Sequence, residues 1–143
     1  MPGPQSGVLV YGEQRAAAAA DFDRDGRVDL LVTQNRAESK LYRNVKAKPG
    51  WRVRLNGVEG NATGVGAVLR VLSGTHSGPA LEIHAGAGYW SQDSPVLIVS
   101  GARPGDQLLV RWPGGKTSTS TLPAQVSEIS VDPTGRLRVL KPL

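Results

Sequence analysis

The stretch Asp21-Phe22-Asp23-Arg24-Asp25-Gly26-Arg27-Val28-Asp29 constrains this chain more than any other. Three carboxylates fall at alternate positions, a glycine follows, and a fourth carboxylate closes the run. Two unit charges 4 Å apart repel by on the order of 4 kcal/mol at an effective dielectric of 20. Four acids in so short a span therefore call for a cation among them. Calcium takes six to eight oxygens, which a tight loop supplies from alternate residues. On that template Asp21, Asp23 and Asp25 give side-chain oxygens, and Gly26 makes the turn. Arg27 gives its backbone carbonyl, with its own charge toward solvent, and Asp29 completes the shell. Magnesium suits such an all-protein cage less well. The loop opens like an EF-hand but has Val32 where the twelfth-position glutamate would stand, and Leu30-Leu31-Val32-Thr33 has the pattern of a strand. The expectation is a calcium loop inside a β-hairpin. A solvated acidic turn is the alternative, since Asp and Gly are turn residues in any case.

The 143 residues are enough for one or two small domains with a core of their own. There is no cysteine, hence no disulfide framework and no thiolate chemistry. The 18 glycines and 10 prolines make about a fifth of the chain, above the usual share of about 12%, which favours short strands joined by turns. A net charge of +5 allows attraction to anionic polymers, although a soluble arginine-rich surface gives the same number. No apolar run approaches the ~20 residues needed to cross a bilayer. The first twenty residues lack the basic start and apolar stretch of a signal peptide, and Met1-Pro2-Gly3-Pro4 reads as the loose opening of an excerpt from something longer.

Along the chain, residues 7–12 form a short apolar run between glycines, expected as a strand. Ala16 to Ala20 favour helix intrinsically, but the run is too short to stand alone and leads straight into the acidic loop, so residues 15–20 are expected as a strand. Further strands are expected at 30–33 and 39–44, with Leu41 as the buried residue of the latter. Lys46-Ala47-Lys48-Pro49-Gly50 marks a boundary, which divides the chain into 1–46 and 47–143. Beyond it, Trp51, Val53 and Leu55 alternate with Arg52, Arg54 and Asn56. Strands are expected near 67–72, 81–85, 96–99, 108–112, 117–122, 125–131 and 137–140, separated by turn signals. That spacing predicts an antiparallel sandwich or barrel. The fold class is thus all-β.

Two resemblances rest on these residues. Ala18-Ala19-Ala20 running into the acidic loop, then Val28-Asp29-Leu30-Leu31-Val32 and Leu41-Tyr42-Arg43-Asn44, resembles an FG-GAP/VCBS-type repeat over residues 7–44. The resemblance implies one propeller-type blade whose loop holds calcium through Asp21, Asp23, Asp25, the Arg27 carbonyl and Asp29. A propeller has about 4–8 blades, and only one such segment is present. The second half carries Asn61-Ala62-Thr63-Gly64-Val65-Gly66-Ala67, Gly86-Ala87-Gly88-Tyr89-Trp90-Ser91-Gln92 and Val110-Arg111-Trp112-Pro113-Gly114-Gly115-Lys116. In that order they resemble the ASPIC/UnbV domain over residues 51–131, with departures at Ala62 and at Val96 to Gly101. That domain follows FG-GAP/VCBS repeats in secreted proteins of the cartilage-acidic-protein type. The resemblance implies a secreted or periplasmic full-length protein with adhesion-type interactions and no established catalysis.

Function follows as expectation. The chain is read as a non-catalytic interaction module for protein or glycan with structural Ca2+. Its partner-binding candidates are Tyr89, Trp90 and Gln92, aromatics beside an amide in a glycine-rich loop; the alternative is a loop pinned by its own aromatics against the sandwich edge. Glu82 and His84 are read as a solvent face, because Leu81 and Ile83 take the core side. No nucleophile context such as Gly-x-Ser-x-Gly occurs. The basic stretch Arg36, Lys40, Arg43, Lys46, Lys48, Arg52 and Arg54, with Tyr42 and Trp51 interleaved, supports an alternative: binding of an anionic glycan or, less readily, a nucleic acid. A lone blade also leaves sheet edges open to self-association.

Overall fold

The computed structural model describes residues 3–143; of the opening Met1-Pro2-Gly3-Pro4 expected to be loose, the first two residues lie outside them, and Gly3-Pro4 begin a helical turn. Apart from one helical turn, α1 (Gly3–Ser6), the described elements are strands. β1 (Gln14–Ala20), β2 (Asp29–Gln34) and β3 (Ala37–Tyr42) form an antiparallel sheet in that order. Ala16 to Ala20 pair residue by residue with Thr33 to Asp29, so the alanine run is extended. The acidic turn returns the chain at once, and the ladder to β2 supplies bonds that an isolated short helix could not sustain.

Two local expectations fail here. Residues 7–12 make no strand. They have no ladder partner, and their recorded tie to β3 is the Tyr42 hydroxyl donating to the Leu9 carbonyl at 2.5 Å. Leu41 is 49% exposed, and Val32 is the one buried hydrophobic side chain of this sheet. Leu41 sits on the edge strand opposite Leu31, and both side chains stay exposed.

The rest of the chain forms two larger sheets. Its strands are β4 (Trp51–Leu55), β5 (Val68–Ser73), β6 (His76–Ser77), β7 (Leu81–Glu82), β8 (Leu97–Val99), β9 (Gln107–Arg111), β10 (Thr117–Thr121), β11 (Val126–Val131) and β12 (Leu137–Pro142). One sheet has the order β10-β9-β5-β6, with β7 also on β5; the other has the order β12-β11-β4-β8. Neither closes into a barrel. The expected all-antiparallel pairing is corrected in the second sheet, where β4 and β11 run parallel. The chain leaves β4, builds the five-stranded sheet, pairs β8 on one side of β4 and returns to the other side in β4's own direction. The strand expected at 81–85 stops at Glu82, beyond which Ile83 bonds to Gly66 and Ala67 across a loop.

Both larger sheets contribute to one hydrophobic core. Val53, Leu55, Val99, Ile129 and Val131 come from one, Leu69, Leu108 and Val110 from the other, and Trp112 and Leu122 close the ends. Two sequence landmarks serve this packing. Asn61 both donates to and accepts from Val65 at 2.9 and 2.8 Å, knitting the loop before β5. The buried Trp112 indole donates to Ser118 at 2.8 Å.

Candidate functional site

The acidic segment is the turn between β1 and β2. Asp21, at the end of β1, has a buried side chain. Its Oδ1 accepts from the Asp25 amide at 3.0 Å, and its Oδ2 accepts from the Gly26 amide at 2.9 Å. Gly26 is required here: its φ is +82°, and a Cβ would stand 2.8 Å from the Gly50 carbonyl. Asp29, buried at the start of β2, accepts from the Phe22 amide at 3.0 Å and from the Asn44 amide at 2.8 Å. The turn is therefore wound around two carboxylates facing inward.

Asp21, Asp23 and Asp29 each bring a carboxylate oxygen to within 4.8 Å of the other two. An ionised carboxylate has about four acceptor sites. Asp29 uses two on recorded N–H donors and Asp23 one, so lone pairs remain on convergent oxygens. The donor set is all-oxygen and suits a hard cation. Asp25 is not among the three that converge. Its Oδ1 accepts from the Arg27 amide at 3.0 Å, and its Oδ2 accepts from Arg27 Nη1 at 2.7 Å and Arg43 Nη2 at 3.3 Å. The outward charge expected for Arg27 is thereby corrected. The guanidinium folds back onto Asp25, and its Nε donates to the Ala47 carbonyl at 2.6 Å. Burial pushes the Asp25 carboxyl up, but the Arg27 hydrogen bonds and charge prevail and hold it below the usual range.

The chain supplies cations to this turn itself. Arg43 Nε lies 2.5 Å from Asp23, and the hydrogen bond and charge of Asp23 raise the Arg43 guanidinium above its usual range. Arg52 reaches Asp21 from β4. Three guanidinium groups thus meet Asp21, Asp23 and Asp25, and part of the repulsion anticipated from sequence is offset internally.

Arg52 is the residue that local pattern misplaces. Strand alternation puts it on a polar face, yet it is 4% exposed. It bonds to the Asp21 carboxylate, while its Nε donates to Glu128 on β11 at 3.1 Å; Glu128 also holds Arg54. Burial pulls the Arg52 guanidinium down, but the bonds to Asp21 and Glu128 outweigh it and raise it above the usual arginine range. Burial likewise pushes Glu128 up, and Arg54 and Arg52 bring it below the usual carboxylate range. The one sequence signal was Glu128 itself, a lone acid between Val126, Ile129 and Val131. Two further bonds tie β1 to the larger region: the Ala19 amide donates to Asp93 at 2.7 Å, and the Ser94 amide donates to the Ala19 carbonyl at 2.9 Å.

The glycine-rich loop at 86–93 displays its aromatics. Tyr89 and Trp90 stack with ring centroids 5.2 Å apart, and Trp90 is 87% exposed. Trp90 has φ +53°, an uncommon backbone for a bulky residue. Gln92 fixes the loop from within. Its Nε2 donates to the His84 and Asp93 carbonyls at 2.9 and 3.0 Å, and its Oε1 accepts from the Gly86 amide. Its amide is thereby a staple, while the two rings face solvent.

The basic stretch is partly committed elsewhere. Arg43, Arg52 and Arg54 are paired with carboxylates, Lys40 lies 3.4 Å from Glu38, and Trp51 packs against the core. Glu82 and His84 are 3.7 Å apart on an exposed face, with Ile83 buried between them in sequence. Among the described residues no helix is long and apolar enough to cross a membrane.

Residues 57–136 match the family described as ASPIC and UnbV. No curated protein and no solved structure matches the chain.

Proposed function

This chain belongs to the ASPIC and UnbV family, and from that premise we propose that it is a non-catalytic extracellular binding module stabilised by calcium. In this reading the first sheet is a propeller-type FG-GAP/VCBS blade, and the two larger sheets are a β-sandwich. The observation that carries the metal assignment is the convergence of Asp21, Asp23 and Asp29 within 4.8 Å. Asp21 and Asp29 are pre-set by hydrogen bonds from backbone amides, so these two carboxylates need little reordering on binding. Asp25 joins the set by exchanging Arg27 and Arg43, and the Arg27 carbonyl adds a neutral oxygen. Calcium supplies the remaining positive charge, and its binding free energy adds to the folding free energy of the turn.

Recognition falls to Tyr89 and Trp90, whose stacked rings offer a flat apolar surface to a protein or glycan. The polyanion alternative is weakened by the three arginines that are already paired.

Thermal unfolding across a calcium titration tests the metal. EDTA should lower the Tm, added calcium should restore it, and Asp23→Asn should flatten the response. At a calcium concentration 100 times Kd the stabilisation should reach about 2.7 kcal/mol. A Tm indifferent to calcium in the unsubstituted chain would remove the assignment.

A further inference from the structure

We propose that the cleft between the acidic turn and β12 binds a small organic anion with an apolar body. The cleft has a volume of about 400 Å³, within the range usual for small-molecule sites. Trp51, Val126, Pro142 and Leu143 give it apolar walls, and Arg24 and Lys141 stand in its lining as cations.

Three observations converge on its chemistry. The first is Trp51, which lines the cleft and whose buried indole N–H has no acceptor among the described residues. A buried donor without a partner costs free energy, and such groups in a folded protein call for an explanation. The second concerns the two cations. Arg27, Arg43 and Arg52 in the same neighbourhood each hold a carboxylate, whereas no ion pair involves Arg24 or Lys141 among the described residues. The third is the backbone of Arg24, held at φ +62° in the left-handed region. The bonds from Asp21 to the Asp25 and Gly26 amides pin the turn immediately after it.

The other charged side chains in the lining, Asp25 and Arg52, are satisfied by Arg27 and by Asp21 with Glu128. What the cleft still offers is two cations outside any ion pair among the described residues and apolar walls that include the Trp51 ring. A carboxylate or sulfonate on a hydrocarbon or aromatic body complements all of these. Arg24 and Asp25 of its lining belong to the acidic turn, so the probes are titrated in EDTA; the site does not depend on recognition by Tyr89 and Trp90.

A pair of fluorescent probes separates the charge from the apolar body. 8-Anilinonaphthalene-1-sulfonate carries the anion, and N-phenyl-1-naphthylamine has nearly the same rings without it. The sulfonate should bind one per chain and shift the Trp51 indole N–H resonance. The neutral amine should bind at least about tenfold more weakly. Arg24→Gln and Lys141→Gln, both at the surface, should each weaken the sulfonate about fivefold and leave the amine unchanged. Trp51→Phe, which trims an apolar wall, should weaken both probes; if that variant does not fold, the two charge variants still decide. Equal binding of the two probes, sulfonate affinity unmoved in both charge variants, or an unshifted Trp51 resonance would overturn the proposal.

Discussion

The first sheet and the larger region are both built of β-strands, yet they cohere by different means. The larger region buries thirteen hydrophobic side chains in a single cluster drawn from two sheets. The first sheet buries Val32 and leaves Phe22, Val28, Leu31 and Leu41 exposed. What orders its turn is polar: the carboxylates of Asp21 and Asp29, each accepting backbone amides, and the Arg52 guanidinium reaching in from β4. One region is thus held mainly by apolar burial, which is non-directional. The other is held largely by directed bonds, which are lost whole when a partner is removed.

The largest expected effect breaks the bridge between them. Arg52→Met leaves Asp21 and Glu128 without their shared cation and should cost about 3–5 kcal/mol. Hydrogen exchange should show protection lost first across β1 and β2, with β9 retaining more. Uniform loss in all strands would mean that the two regions unfold as one unit.

Next comes the core. Leu69 is fully buried, and Leu69→Ala should destabilise the larger region by about 2–5 kcal/mol in denaturant titration. Retention of β9 protection in this variant would show that the cluster does not carry that region.

Acid acts on the polar side. Glu128 has its folded pKa below the ordinary 4.5. In the window beneath 4.5 the unfolded chain therefore binds more protons than the folded one, and stability rises with pH there. The contribution is fully present above 4.5 and is lost as pH falls through the folded value. Glu128→Gln should remove this part of the acid dependence, to be read in Tm against pH. An unchanged profile would assign the acid sensitivity to other carboxylates.

The smallest effect sharpens the contrast with one residue type. Leu41→Ala, on the exposed face, should change stability by no more than about 0.5 kcal/mol. A loss approaching that of Leu69→Ala would show that this face is covered in solution, as self-association through the first sheet would require.

These contrasts also explain what was legible beforehand. The hairpin of β9 and β10 around Gly114-Gly115, and the acidic turn between two strands, are written in neighbouring residues, and both form. Arg52 was not legible, because alternation assigns a face but not what lies upon it. Its partners sit 31 residues before it and 76 after it in the chain. Leu41 failed for the converse reason: its pattern marks a face for burial, and the side chain stays exposed. The sequence puts Gln92 in the glycine-rich loop, but its amide is spent on three backbone groups that no local pattern reveals.

The parallel pairing of β4 with β11 has a consequence in time. A chain emerging N-terminus first completes β4 early and must then be extended through β11 before that flank of the strand is covered. Until then β4 offers a bare edge, open to pairing with another nascent chain. Joining segments so remote in sequence is slow, because the intervening loop must close before any contact rewards it. Assembly of this sheet therefore waits on β11, and a ribosome halted before residue 126 holds a strand with no neighbour on one side.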